Sequence, residues 1–177
     1  SDVLSWVAVD EQIQKVEMKL HYYDTVLNCV TEILKQIHQM SSDLADAVES
    51  KYFTHIIGVS RGGCIPATII SHRLDIPMIP ISLSTRDHAK EMVPDFPVGH
   101  GTGENWIDHY KFLVVDDIND TGHTFKKMRE IMHHRGARYT EYAVLIDNEP
   151  SEFDVDYWAE KIDKNKDPAW IVYPWEV

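Results

Sequence analysis

The chain has 177 residues, 44% of them hydrophobic, with 17 basic against 29 acidic side chains and a formal net charge of -12. This length and apolar content predict one compact domain, with room for a small appendage, and exclude wholesale disorder. The acidic balance predicts no nucleic-acid partner and no anionic membrane surface, because both would repel the chain. No apolar run is long enough to span a bilayer, and the interrupted apolar start predicts no secretory signal.

The first fifty residues show mainly helical periodicity. From Tyr23 to Met40 apolar residues recur at helical spacing, which predicts an amphipathic helix packed on a core: Leu27, Val30, Leu34 and Ile37. The preceding pattern, Val9 to Leu20, is helical but less regular, and residues 1–22 are interpreted as an N-terminal extension. A polar, acidic stretch from Ser41 to Ser50 separates the helix from the next element.

From residue 54 onwards strands alternate with helices. Strands are predicted at 54–59, 78–83, 112–115 and 139–146. One helix is predicted to begin near Ile65, and a second, after Thr124, to end near His134. This alternation predicts an α/β fold with a parallel sheet covered on both faces. The long polar stretch 84–109 is typical of a functional lid or a disordered loop. From Asn148 onwards the sequence is irregular and rich in aromatic residues, which predicts a flap over the carboxyl edge of the sheet.

The number of cysteines indicates the redox environment of the protein. Cys29 and Cys64 are too few for a disulfide framework, so we expect two buried thiols in a reducing cytoplasm.

Residues 113–124 place unusual chemistry after a predicted strand. Three aliphatic residues lead to Asp116 and Asp117, and a turn containing Asp120 then opens a helix. The amides at the helix start, with the hydroxyls of two threonines, would suit a phosphate monoester. The paired carboxylates would suit the vicinal hydroxyls of a ribose or a divalent cation. The alternative is that the three acids only cap a turn and a helix.

A second strand end carries an arginine between small residues, in the run Gly58 to Ala67. Arg61 can give paired donors to diphosphate oxygens, while Gly62 and Gly63 allow the backbone to approach a neighbour closely. In open α/β sheets, ligands bind at such carboxyl ends of strands.

Both strand ends resemble one family. Residues 113–124 resemble the phosphoribosyl-diphosphate (PRPP) signature of the type I phosphoribosyltransferases. Residues 58–67 resemble the pyrophosphate loop of its xanthine-guanine (purine) branch, and residues 169–176 resemble the base-binding tail of that branch. The similarity runs from about Tyr23 to Glu176.

The resemblance implies the type I phosphoribosyltransferase fold, a central parallel sheet flanked by helices. It implies three segments: an N-terminal extension at 1–22, a core at 23–147 with a flexible loop at about 84–109, and a C-terminal hood that binds the base at 148–177. It also suggests a homodimer or a homotetramer.

The implied activity is transfer of a phosphoribosyl group from PRPP to a nucleobase, with release of pyrophosphate. The expected base is a purine such as guanine, xanthine or hypoxanthine, used in nucleotide salvage, and Mg2+ is the expected cofactor. Asp116 and Asp117 would hold the ribose hydroxyls and reach the metal, and Asp120 would act as the general base. The 5′-phosphate would bind to Asp120, Thr121, Gly122, His123 and Thr124.

The resemblance also implies pyrophosphate contacts from Ser60, Arg61 and Gly62, with a cis peptide bond between the first two. Arg86 and Lys90, in the loop that closes over PRPP and excludes water, would add further contacts. Trp170 would stack on the base, and the backbone of Ile171 would meet one of its exocyclic groups.

One departure leaves the choice of base open. The xanthine-guanine branch carries a lysine just before a proline after the fourth strand, where it donates to the purine 6-oxo group. Here the corresponding residues are Asn148, Glu149 and Pro150. A carboxylate cannot donate, so Asn148 is the candidate reader of the base in that position.

Three other interpretations remain open at this stage. Gly58 to Gly62 also fits the nucleophile elbow of the α/β-hydrolases, with Ser60 as the nucleophile. The chain could instead be a PRPP-binding regulator with little transferase activity. His133 and His134 could belong to a metal site, although neighbouring helical residues face different directions and a solvated helix end explains them better.

Overall fold

The computed structural model describes residues 2–83 and 110–168, with side chains from residue 11 onwards. The chain divides into two compact units, Ser1–Gln36 and Ile37–Val177. The first helix, α1, spans Asp2–Val48 and contributes to both units. In the first unit, the large apolar side chains of α1 from Ile13 to Leu34 are exposed.

The prediction that residues 23–40 pack on a core is wrong for most of their apolar side chains. Leu27, Val30 and Leu34 are exposed, and burial begins at Ile37. From Ile37 on, the large apolar side chains of α1 belong to a cluster of buried core residues, so the helix changes there from exposed to buried. The predicted acidic linker 41–50 is also largely helical, because α1 continues to Val48.

The second unit is built on one parallel sheet. After a short 3-10 helix at Glu49–Lys51, its elements are β1 His55–Ser60, α2 Cys64–Leu74, β2 Met78–Ser82, β3 Lys111–Asn119, α3 His123–His134, β4 Tyr139–Asn148 and β5 Tyr157–Ile162. The strand order is β2-β1-β3-β4-β5, and every neighbouring pair is parallel. The predicted parallel α/β architecture is therefore confirmed.

β5 corrects the prediction of an irregular segment from Asn148 onwards. It pairs with β4 from Ala143 opposite Tyr157 to Asn148 opposite Ile162. The sequence hides this strand because it lies at an edge of the sheet, alternates half-buried with exposed residues and carries charged side chains instead of an apolar run.

The central strand, β3, is buried on both faces. Phe112 and Val114 belong to the core cluster that includes Phe125 and Met128 of α3. Leu113 and Val115 belong to the opposite cluster, with residues of α2 and of the last part of α1. A strand covered in this way reads as a continuous apolar run, which is why β3 was recognisable from the sequence.

A buried asparagine at the end of β3 holds the segment after β4 against the sheet. The side-chain amide of Asn119, 1% exposed, donates to Asp147 Oδ1 at 2.7 Å and to the Phe153 carbonyl at 2.8 Å. Its oxygen accepts a hydrogen bond from Ser151 Oγ at 2.9 Å. Its hydrogen-bonding capacity is thus largely used in joining β3, β4 and the following segment.

Both cysteines are unpaired, with Cys29 exposed and Cys64 half-buried. The expectation of two buried thiols is wrong for Cys29, because it lies on the exposed part of α1. Among the described helices, none has the combination of length and apolar character that a bilayer span requires.

We predict that Asn119→Ala lowers the free energy of unfolding by about 1 to 3 kcal/mol, because it leaves the buried Asp147 carboxylate and the Phe153 carbonyl without this donor. Denaturant titration would measure the change. The matched control is Asn165→Ala, at an exposed position, for which we expect a change within about 0.5 kcal/mol. Equal stabilities of the two variants would contradict the role of the Asn119 network.

Candidate active site

The loop after β1 lies directly against the end of β3. A Cβ atom added to Gly62 would lie 1.8 Å from Asp117 Oδ2, and one added to Gly63 would lie 2.3 Å from the Val115 carbonyl oxygen. Only glycine allows so close an approach. Because β1 and β3 are neighbouring parallel strands, the loop that carries Arg61 and the carboxylates of β3 share one edge of the sheet.

Two carboxylates are buried beside this loop. Asp116 is 8% exposed and Asp117 is 6% exposed. The backbone N–H of Asp117 donates to Asp116 Oδ1 at 2.9 Å, and that of Ile118 donates to Asp117 Oδ1 at 2.9 Å. Burial, reinforced by the neighbouring Asp117 carboxylate, raises the pKa of Asp116 well above its ordinary value. Such a pair favours a cation, or ligand hydroxyls that donate to it.

The turn after β3 leaves the start of α3 available to an anion. Gly122 precedes the helix in the left-handed region, with φ of 83°, and a Cβ atom there would lie 2.8 Å from Phe153 Cβ. The residue at the N-cap of this helix, which spans His123–His134, is Gly122 itself and has no side chain to cap the first turn. Thr121 and His123 are exposed and Thr124 is half-buried. Uncapped helix N-termini with nearby hydroxyls bind phosphate groups.

Asp120 is held at the rim of the site by residues from two other strand ends. Lys164 Nζ, in the segment after β5, lies 2.8 Å from Asp120 Oδ1. The Asn148 side-chain amide donates to the Asp120 carbonyl at 2.9 Å, and its oxygen accepts the Lys164 N–H at 3.1 Å. The side chains of Asp120 and Lys164 keep 23% and 19% exposure, so both remain accessible to a ligand.

Several residues that the sequence singled out do come together. The carboxyl ends of β1 and β3 carry Ser60, Arg61, Gly62, Asp116, Asp117 and the turn 120–124. The peptide bond between Ser60 and Arg61 is cis, as predicted. Asn148 lies at the end of β4, where its polar atoms contact Asp120 and Lys164. Four predicted site residues lie outside the described residues: Arg86, Lys90, Trp170 and Ile171.

Sequence reasoning missed Asn119 and Lys164. A polar residue directly after Asp117 and Ile118, within the same strand, was the available signal for Asn119. Lys164 stands in a short basic cluster interleaved with acids, and nothing in that pattern indicates a contact with Asp120, which is 44 residues away.

The alternative interpretations gain no support from the described residues. There, the Ser60 hydroxyl lies 3.4 Å from the Cys64 thiol, whereas a hydrolase nucleophile needs an imidazole in that position. His133 and His134 are at the exposed end of α3. Within 2–83 and 110–168, no group of three or more His, Cys, Asp or Glu side chains could hold a metal ion.

Comparison with known proteins agrees with the geometry. The family model for the phosphoribosyl transferase domain matches residues 23–177. The chain is 32% identical over 146 residues to the xanthine-guanine phosphoribosyltransferase of Idiomarina loihiensis, covering 81% of this chain and 84% of that protein. It is 30% identical to the xanthine-guanine phosphoribosyltransferase of Desulfotalea psychrophila, covering 80% and 82%.

Solved structures agree as well. The crystal structure of a purine phosphoribosyltransferase from Pyrococcus horikoshii superposes with a TM-score of 0.67 and 28% identity, covering 81% of this chain and 91% of that one. The family match spans both the glycine loop at Gly62 and the buried carboxylates that it contacts. The chain therefore belongs to the phosphoribosyl transferase domain family and has the type I phosphoribosyltransferase fold.

Proposed function

We propose that the chain transfers the phosphoribosyl group of PRPP to a purine base and releases pyrophosphate. The observation that carries the proposal is the contact between Gly62 and Asp117, because it puts the arginine loop beside the buried carboxylates. The proposed phosphate-binding turn, residues 120–124, comes directly after the strand that carries those carboxylates and begins three residues after Asp117. One substrate with a sugar between a monophosphate and a diphosphate suits this order of groups.

Each part of PRPP then has a place. The turn before α3 together with the start of that helix, residues 120–124, receives the 5′-phosphate through backbone amides and hydroxyls. Asp116 and Asp117 accept hydrogen bonds from the ribose hydroxyls. Ser60, Arg61 and Gly62 bind the diphosphate, for which an exposed guanidinium supplies paired donors. Arg86 and Lys90 are proposed as further diphosphate contacts.

The buried carboxylates also fit Mg2+. The negative charge of Asp116 and Asp117 is confined to a small volume, and a cation would relieve the repulsion that contributes to the raised pKa of Asp116. One or two carboxylates are a usual Mg2+ set, with the remaining ligands supplied by substrate oxygens and water. When bound, the ion would neutralise part of the charge on the diphosphate.

The reaction breaks the bond between the anomeric carbon and the diphosphate oxygen and forms a bond from that carbon to a ring nitrogen of the base. The diphosphate leaves with the electron pair, and the ring-nitrogen proton passes to a base. Asp120 is the proposed acceptor, because its side chain keeps 23% exposure and it lies three residues after Asp117. The Arg61 loop favours bond cleavage by stabilising the departing negative charge.

We propose a 6-oxopurine as the acceptor, with Lys164 as the donor facing its 6-oxo edge. Relatives at 30% and 32% identity are named xanthine-guanine phosphoribosyltransferases. In this chain Glu149 is exposed and cannot donate, and the polar atoms of Asn148 contact Asp120 and Lys164. Lys164 places an ammonium group 2.8 Å from the proposed base Asp120. Trp170 and Ile171 are proposed to complete the base site.

We predict that Asp120→Asn lowers kcat by about two orders of magnitude or more, because the amide cannot accept the proton. Pyrophosphate release from Mg-PRPP and hypoxanthine would measure it. Asp154→Asn, at an exposed position, is the control and should leave kcat unchanged. Near-normal turnover of Asp120→Asn would exclude the general-base role.

We predict that Asp116→Ala combined with Asp117→Ala abolishes the binding of Mg-PRPP, because the ribose hydroxyls and the cation lose their acceptors. Isothermal titration calorimetry would measure this loss. The control is Asp154→Ala combined with Asp167→Ala, which removes the same charge from exposed positions. Retained binding in the first variant would show that PRPP does not use these carboxylates.

We predict that Lys164→Met lowers kcat/KM for hypoxanthine about 10- to 100-fold, the usual range for losing a charged hydrogen bond. The KM for PRPP should change little, because no PRPP contact is assigned to Lys164. Lys166→Met is the matched control, since Lys166 is exposed and pairs with Asp163. An equal fall in kcat/KM for hypoxanthine in both variants would contradict the assignment. So would a Lys164→Met variant in which only the KM for PRPP changes.

A further inference from the structure

The exposed part of α1 carries a continuous apolar seam. Between residues 13 and 34 the large side chains recur at intervals that alternate between three and four residues: Ile13, Val16, Leu20, Tyr23, Leu27, Val30 and Leu34. Each of them is between 37% and 64% exposed. We call these residues the heptad seam.

The spacing of the heptad seam is that of a coiled coil. An alternation of three and four keeps a period of 3.5 residues, whereas an apolar stripe that follows the straight helix has a period of 3.6. The seam runs through three complete heptads and spans about 33 Å at 1.5 Å per residue. A repeat of this length, with charged residues at three of its six e and g positions (Glu17, Lys19 and Asp24), indicates a coiled coil rather than a single amphipathic turn.

The flanking charges favour identical helices in parallel. With Ile13 at position a, the g residue Lys19 of one helix faces the e residue Asp24 of its parallel neighbour, because the two positions are five residues apart. The preceding pair, Gln12 with Glu17, carries no repulsion. An antiparallel arrangement would instead place e residues beside e residues, and two e residues that flank the heptad seam, Glu17 and Asp24, are acidic.

The residue types favour more than two strands. Three of the four a positions are leucines, the first being Ile13, and two of the three d positions, Val16 and Val30, are β-branched, with Tyr23 at the third. This distribution favours trimers and tetramers over dimers. The g residues Val26 and Ile33 are also exposed and apolar, so they widen the seam as additional neighbouring helices require.

We propose that residues 13–34 form a parallel coiled coil with the same residues of other copies of this chain. The heptad seam is self-complementary, since its apolar a and d residues meet their own counterparts in an identical parallel helix and Lys19 faces Asp24 of that helix. The surface is therefore an assembly interface of three or four chains. The proposal does not depend on the catalytic activity proposed above.

The mass of the full chain in solution tests the proposal. Leu20→Glu combined with Leu27→Glu introduces charge at two a positions of the seam. Met18→Glu combined with Thr25→Glu is the matched control, because it adds the same charge with the same spacing at f positions on the opposite side of the helix. Sedimentation equilibrium at several concentrations would give the masses, and thermal unfolding of the second unit would confirm that each variant is folded.

We expect three or four times the chain mass for the wild type and for the control, and a smaller assembly for the seam variant. A monomeric wild type would overturn the proposal, and so would an unchanged mass in the seam variant. A two-chain wild type that dissociates in the seam variant would overturn the strand number inferred from the a and d residues.

Cross-linking tests the parallel register separately. Leu20→Cys and Leu34→Cys, each made in a background with Cys29→Ser and Cys64→Ser, should both form covalent oligomers with a short bis-maleimide. Thr25→Cys in the same background, at an f position, should not. An antiparallel pair can bring at most one of the two seam positions to its own counterpart, so cross-linking at only one of them would overturn the parallel arrangement.

Discussion

The site depends on the close approach of a backbone loop to a buried carboxylate. A Cβ atom at Gly62 would lie 1.8 Å from Asp117 Oδ2, so any side chain there would push the loop away from β3. That displacement would separate the loop that carries Arg61 from the carboxylates at the end of β3. A substrate that carries both a diphosphate and a monophosphate needs the arginine loop, the carboxylates and the turn at Gly122 at one edge of the sheet. The proposed substrate site therefore depends on the contact between Gly62 and Asp117.

The contact is possible because β3 is held rigidly on all sides. Its apolar residues are buried between α3 on one face and α2 with the end of α1 on the other. Beyond them, Asn119 binds Asp147 and the segment at Phe153 with short hydrogen bonds. The strand therefore delivers Asp116 and Asp117 to a fixed place, and the same network positions Gly122, which packs against Phe153. The residues that stabilise β3 therefore also support the proposed substrate site.

The sequence was informative where chemistry is local. The order of carboxylates, turn and helix near Asp120 follows from adjacent residues, and so does the glycine loop, so both could be recognised with their fold. Contacts between segments that are distant in the chain could not be predicted from the sequence. Lys164 reaches Asp120 across 44 residues, and β5 is an edge strand whose alternation is too weak to stand out. Tertiary packing decides such contacts, and no local pattern records them.

The first helix, α1, gives a second example of what a local sequence pattern cannot predict. Leu27, Val30, Leu34 and Ile37 belong to one apolar stripe, yet only Ile37 is buried in the chain's own core. The stripe continues with the same spacing to Leu44, through a buried serine whose hydroxyl bonds back to the helix. The periodicity of apolar residues indicates that a helix face is buried, but it does not identify the surface that buries it. A seam that serves an intrachain core at one end and identical helices at the other would account for a uniform repeat with two different levels of exposure.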